Sequence, residues 1–84
     1  MNTSELIKKA EEEFASLSKL TVNAVIGLAK KDEEWVVSLE ALERKAIPDT
    51  MDVLGLYEVC LDSEGTLLGF ERKKLRKRGE TQEG

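Results

Sequence analysis

The sequence predicts an α+β fold: one N-terminal helix packed on a four-stranded antiparallel sheet, in the order α-β-β-β-β. Two observations support this fold. Near the N-terminus, apolar residues recur every three or four positions, the period of an α-helix. Along most of the remaining chain they recur at every second position, the period of a strand. With 84 residues in the chain, we predict a single domain over residues 1–78 and a frayed polar tail over residues 79–84.

The N-terminal helix is predicted over Thr3–Ser18. Thr3 or Ser4 can cap its first turn with a side-chain oxygen, and Glu5 then lies where the helix dipole favours an acidic group. One stripe along this helix is apolar, so we expect it to be buried against the sheet. The stripe consists of Leu6, Ala10, Phe14 and Leu17.

The first hairpin is predicted over residues 20–41. Apolar residues alternate from Leu20 to Leu28, residues 30–34 form a charged turn, and alternation resumes at Trp35. If the alternation is strict, the two sides of the hairpin carry different apolar sets. One side has Ile26, Leu28 and Val36, and the other has Val25, Trp35, Val37 and Leu39.

Residues 44–52 interrupt the strand pattern. Pro48 fixes its own backbone, and Asp49 and Asp52 are residues whose side chains bond nearby backbone groups. We therefore expect an ordered turn or a single helical turn here. Gly55 is predicted to mark a kink or bulge where the third strand begins.

The second hairpin is predicted from residues 56–62 and 66–75, with Gly65 in a left-handed conformation at the turn. A three-residue loop sets the expected cross-strand neighbours. These are Leu61 with Leu67, Val59 with Gly69, Cys60 with Leu68, and Glu58 with Phe70. Both faces are then partly apolar. One face has Leu56, Cys60, Leu68 and Phe70, and the other has Tyr57, Val59, Leu61 and Leu67.

One helix covers only one face of a four-stranded sheet. The other face would expose several hundred Å² of apolar surface, more than a monomer usually tolerates. We therefore expect a partner on that face, either a second copy in a homo-oligomer or another protein. A curled sheet or a larger helical insertion around Asp49 would instead hide the same residues in a monomer.

The residue types present argue against an enzyme. The chain has no histidine, and its single cysteine, Cys60, lies in the middle of a predicted strand. Asp49, Asp52, Asp62 and Glu64 lie in predicted turns, where acidic residues ordinarily stabilise the backbone. We predict no catalytic residue, no metal site and no cofactor.

The absence of a disulfide or leader pattern favours the cytoplasm, and the short apolar stretch at residues 24–29 predicts no membrane span.

A basic run near the C-terminus is the one concentrated surface feature. Six of its seven residues are cations, and they make it the candidate site for an anionic partner. A contact with an acidic protein and a merely solvated strand end are both compatible with it. Nucleic acid is the least favoured partner, because few aromatic residues accompany the charges. The cations are Arg72, Lys73, Lys74, Arg76, Lys77 and Arg78.

From Trp35 onward the sequence resembles the gas vesicle protein O family. The similar segments are WVVSLE from Trp35, ER at residues 43–44, IPDT at residues 47–50, DVLGLYEV at residues 52–59, LDSEG at residues 61–65 and FER at residues 70–72. Leu75 stands where this family often has a tyrosine. The residues expected to form the structural motif are Trp35, Pro48, Asp49, Asp52, Tyr57 and Gly65.

The resemblance implies a non-enzymatic accessory protein of gas vesicle formation. It implies contacts with other gas vesicle proteins, and a cytoplasmic location on vesicles or their assembly intermediates. The alternative is a small regulatory protein that binds nucleic acid through the basic run.

Overall fold

The computed structural model describes residues 2–77 and Gly79, without the side chain of Asp49. Its elements, in chain order, are α1 (Thr3–Ser18), β1 (Thr21–Lys31), β2 (Glu34–Arg44), a 3-10 helix (Asp49–Met51), β3 (Val53–Leu61) and β4 (Leu67–Lys77). The strands form one antiparallel sheet in the order β1-β2-β3-β4. The predicted α+β fold is confirmed. Arg78 and, apart from Gly79, the tail predicted over residues 79–84 lie outside the described residues.

Helix α1 spans the predicted residues, but its N-cap is Asn2 and not Thr3 or Ser4. Asn2 has an extended backbone, and its side-chain oxygen accepts a hydrogen bond from the backbone N–H of Glu5 at 2.9 Å. The asparagine therefore satisfies a donor that the first turn leaves open.

Leu17 does not belong to the buried face of α1. Its side chain is 60% exposed, whereas Leu6, Ala10 and Phe14 are at most 1% exposed. The helix ends at Ser18, and Leu20 packs against the core beyond the turn. The helical period predicted the first three core positions correctly and failed in the last turn.

The core lies between α1 and one face of the sheet. Phe14 is its aromatic centre: the ring centroids of Tyr57 and Phe70 lie 4.8 and 5.0 Å from that of Phe14. Full burial of a large apolar side chain contributes about 1.5–3 kcal/mol, so we expect burial of Phe14 to contribute an amount of this order. The buried core positions on the sheet are Val37, Leu39, Ala41, Tyr57, Val59 and Leu61.

Two register shifts in β1 overturn its strict alternation. They fall between Val22 and Ala24 and between Val25 and Gly27. Each shift adds a residue to β1, so Val22, Val25 and Leu28 all pack against the core. The prediction that placed Leu28 beside Ile26 on the other side was wrong for this reason.

A further register shift separates Cys60 from Leu61 in the pairing of β3 with β4. Leu61 pairs with Leu67 as predicted, but Phe70 pairs with Val59, and not with Glu58 as predicted. Phe70 therefore joins the helix-facing side, which corrects the side predicted for it. The other predicted partners are also displaced: Cys60 pairs with Gly69, and Glu58 pairs with Glu71.

The predicted turns are present. Gly65 has a φ of 87°, the left-handed conformation expected there. Asp62 Oδ1 accepts hydrogen bonds from the backbone N–H groups of Glu64 and Thr66, both at 2.9 Å. The first hairpin turns more tightly than expected, because Lys31 already pairs with Glu34.

Candidate partner-binding surface

Residues 72–77 of the basic run lie on β4, an edge strand whose neighbour in the described sheet is β3. Its described cations differ in what they contact. Arg72, Lys73 and Arg76 each lie within 4.0 Å of at least one carboxylate of the same chain. The strand is therefore partly neutralised by its own sheet, and its five cations are not equivalent surface charges.

Arg76 makes the closest of these ion pairs. Its Nε and Nη2 donate to the two carboxylate oxygens of Glu40, at 2.7 and 3.1 Å. The Glu40 side chain is 13% exposed and that of Arg76 is 26% exposed, so the pair is largely shielded from water. Glu40 lies on β2, so the bond crosses the whole of β3. Such bidentate, charge-assisted contacts are among the stronger hydrogen bonds in proteins.

Lys73 lies nearer to solvent. Its ammonium is 3.2 Å from Glu71 Oε2 and 3.8 Å from Glu58 Oε1. The hydrogen bond with Glu71 is the main cause that raises the pKa of Lys73 above its ordinary value. Exposed pairs of this kind contribute little to stability.

Arg72 adjoins a polar cluster on the helix-facing side of the sheet. Arg72 Nη1 lies 3.9 Å from Glu43 Oε1, and the Tyr57 hydroxyl donates to Glu43 Oε2. Burial, followed by the hydrogen bond to Glu43, raises the pKa of Tyr57 to about 12. Gly55 makes room for this cluster, since a Cβ at that position would lie 2.9 Å from the Tyr57 ring and collide with the Glu43 carboxylate.

Lys74 differs from these three cations. It makes no ion pair with any residue in the described part of the chain. It pairs with Leu56 of β3, on the face of the sheet opposite α1. Because α1 packs on the other side of the sheet, this face is called the open face hereafter.

The open face holds a groove of about 300 Å³. Its apolar lining is Ile26, Leu54, Leu56 and Leu75, and its polar lining is Glu40, Lys74 and Arg76. Ile26 and Leu75 are 59% and 51% exposed, so water reaches the groove. The surface therefore combines apolar contact area with one cation that has no carboxylate partner among the described residues.

The residues expected to form a structural motif make the following contacts. Asp52 is 3% exposed, and its Oδ1 accepts from the backbone N–H of Ala46 at 2.7 Å. Pro48 accepts a backbone hydrogen bond from Met51 at 3.0 Å and precedes the 3-10 helix that contains Asp49. Trp35 packs against the core at the hairpin end, with Lys30 Nζ 5.5 Å from its ring centroid.

Sequence reasoning missed the carboxylates that pair with β4. Glu40, Glu43 and Glu58 lie inside strands, where charged residues are uncommon, and that position was the available signal.

Cys60 is a free, half-buried thiol on β3. Over residues 2–77, no group of three or more acidic or cysteine side chains could hold a metal ion. In the same range, no helix has the length and apolar character needed to cross a membrane.

Comparison with known proteins identifies one family over nearly the whole chain. The family described as "Gas vesicle synthesis protein GvpO" matches residues 1–82. Gas vesicle protein O1 of Halobacterium salinarum is 35% identical over 75 residues, which cover 89% of this chain and 63% of that protein.

Two further relatives are similar to the same degree. Gas vesicle protein O of a Streptomyces species is 32% identical over 74 residues, covering 88% of this chain and 58% of the relative. Gas vesicle protein O of Haloferax mediterranei is 33% identical over 76 residues, which cover 89% of this chain and 54% of that relative. The chain thus spans between 54% and 63% of the length of these curated relatives. No solved structure matches the chain.

Proposed function

Because the chain belongs to the gas vesicle protein O family, we propose that it is a non-enzymatic accessory protein of gas vesicle formation. It acts by binding other gas vesicle proteins, in the cytoplasm and on vesicles or their assembly intermediates. The observation that carries the proposal is the family match over residues 1–82. The absence of histidine from the sequence supports a role without catalysis.

The surface of the sheet supports a role in protein contacts. The open face carries exposed apolar side chains, including Ile26 and Leu68, each more than half exposed. Lys74 and Arg76 of β4 line the groove on the same face. Apolar area rimmed by charge is typical of surfaces that bind other proteins. Self-association through this face stays a prediction.

The alternative, binding of nucleic acid, has less support. Arg72, Lys73 and Arg76 already pair with carboxylates, which reduces the charge they offer to phosphates. Phe70, the aromatic residue of β4, packs against Phe14. If β4 did bind nucleic acid through about six phosphates, raising the salt from about 50 to 200 mM would weaken binding roughly 10³-fold.

Complementation in a vesicle-forming host tests the proposed function. A strain that lacks only this gene should form few or no gas vesicles, and the wild-type chain should restore them when counted by electron microscopy. Restoration by a variant that unfolds, such as Leu39→Asp in the core, would contradict a role for the folded domain. Normal vesicle numbers in the deletion strain would contradict the proposed function itself.

A further inference from the structure

We propose that the groove on the open face binds an acidic segment of a partner protein, with one apolar side chain in the groove and a carboxylate beside Lys74. This inference rests on the proposed function and specifies the contact site within it. The ligand is a stretch of polypeptide in which an apolar residue and an acidic residue lie on the same side.

The groove has the size and lining of a side-chain pocket. Its floor includes Leu54, only 1% exposed although it lies opposite α1, and half-buried Leu56. Ile26 of β1 and Leu75 of β4 form exposed rims. A volume of about 300 Å³ is at the small end of the roughly 300–1,000 Å³ typical of small-molecule pockets. It therefore suits one or two side chains, and burying the rims would remove apolar surface from water.

The charges around the groove select an anionic ligand. Glu40 and Arg76 in its wall neutralise each other through their bidentate contact. Lys74 adds a positive charge, and it pairs with no carboxylate among residues 2–77. A carboxylate of the ligand would gain an ion pair that the isolated domain does not make, whereas a cationic ligand would be repelled.

The same charges argue against a second copy as the occupant. A two-fold contact between open faces would bring the groove of one copy towards the same surface of the other. Of the open-face carboxylates, Glu40 is paired with Arg76, and Glu58 and Glu71 are paired with Lys73. Glu34 lies beside Glu58 and Cys60 and does not line the groove. Two copies that met groove to groove would bring Lys74 and Arg76 of one copy beside the same cations of the other, so an acidic partner fits the groove better.

Photocrosslinking identifies the occupant directly. Ile26→p-benzoylphenylalanine places the reactive group at the groove rim, and Lys8→p-benzoylphenylalanine places it on the exposed side of α1 as a control. Both full-length variants are produced in a host that expresses the gas vesicle genes, and crosslinked peptides are sequenced by mass spectrometry. We expect the Ile26 variant to crosslink a gas vesicle protein at a segment containing apolar and acidic residues. A crosslink to a second copy of this chain, to a basic segment, or with the same yield at Lys8 would overturn the inference.

A charge reversal measures the role of Lys74. Lys74→Glu should weaken binding of the purified crosslinked protein about tenfold or more, whereas Lys74→Arg should retain binding. Lys8→Glu makes the same charge change on α1 and should leave binding unchanged. Circular dichroism melts show that each variant is folded.

The two proposals fail in different ways. If the wild-type chain captures a gas vesicle protein and Lys74→Glu captures it equally well, the groove inference is wrong and the proposed function stands. If the wild-type chain captures none of them, the proposed function fails and the groove inference fails with it.

Discussion

The guanidinium of Arg76 and the carboxylate of Glu40 meet across the face of β3, although 36 residues separate them in sequence. The contact ties edge strand β4 to β2, which is not its neighbour in the sheet. A residue that belongs to the basic run is therefore also part of the scaffold. Lys74, two positions earlier, makes no such contact with the described residues.

Substitutions in β4 should separate these two roles. Arg76→Gln leaves the shielded Glu40 carboxylate without its cation, and we expect it to lower the free energy of unfolding by about 1–3 kcal/mol. Lys74→Gln should change it by less than about 0.5 kcal/mol, because the side chain is exposed and makes no ion pair with the described residues. Urea denaturation measures both values. Equal effects of the two substitutions would contradict a structural role for the Arg76–Glu40 pair.

Gly55 and Gly27 offer a matched pair of glycine-to-alanine substitutions in strands. At Gly55 the new methyl group would collide with Glu43 and approach the Tyr57 ring. We therefore expect Gly55→Ala to lower the free energy of unfolding by about 1–3 kcal/mol. At Gly27, apart from the two adjacent residues, no atom of the described chain lies within 4 Å of the added methyl group. The free energy of unfolding should therefore change by less than about 0.5 kcal/mol. Thermal melts of both variants test the difference. If Gly55→Ala melted at the same temperature as the wild type, the prediction that the cluster cannot accommodate the methyl group would be contradicted.

Ionisation of the Tyr57 hydroxyl should lower the free energy of unfolding at high pH. Folding raises the pKa of Tyr57 from 10.0 to about 12, through burial and the hydrogen bond to Glu43, so the folded state favours the neutral phenol. The resulting stability is fully present below pH 10 and is lost as the pH rises towards 12. Tyr57 is the only tyrosine in the chain, so an ultraviolet titration of tyrosinate reports its pKa without ambiguity.

The control for this prediction is Tyr57→Phe. It removes the hydroxyl and should destabilise the domain by about 1–2 kcal/mol near neutral pH. The loss of stability between pH 10 and 12 should be smaller in this variant than in the wild type. A titration with the ordinary tyrosine pKa, or equal pH dependence of the two proteins, would contradict the role assigned to Glu43.

Cys60→Ser tests whether the thiol has a chemical role. Cys60 is half-buried on β3, and the chain contains no histidine to activate it. We expect the variant to restore vesicle formation in the deletion strain as well as the wild type does. If the variant melted normally and yet formed no vesicles, the non-enzymatic account would lose its support.

The sequence predicted element types and order well because those depend on local periodicity. The helix limits, the tight turn at Gly65 and the helical turn after Pro48 all follow from signals within a few residues. The faces of Leu28 and Phe70 were mistaken because a bulge adds one residue to a strand and reverses the side of every residue beyond it. Strict alternation contains no signal for such an insertion.

The candidate site was only partly predictable for a different reason. The basic run is visible in the sequence as a cluster of charges, but its pairing is set by contacts between distant strands. Glu40 neutralises Arg76 only because β2, β3 and β4 lie side by side in register. The contrast between Arg76 and Lys74 therefore required the structure.

Capture of gas vesicle proteins by affinity-tagged chains tests the central claim most directly. The test variant replaces Lys73, Lys74, Lys77 and Arg78 with glutamine, and the control makes the same change at Lys8, Lys9, Lys31 and Lys45. Both should melt close to the wild type, because Lys73, Lys74 and Lys77 are exposed and surface charges contribute little to stability. Quantitative mass spectrometry then identifies the proteins that co-purify from a vesicle-forming host. We predict that the wild type and the control enrich at least one gas vesicle protein, and that the test variant largely loses it. Equal capture by the test variant, or no enrichment by the wild type, would contradict a role exerted through contacts at β4.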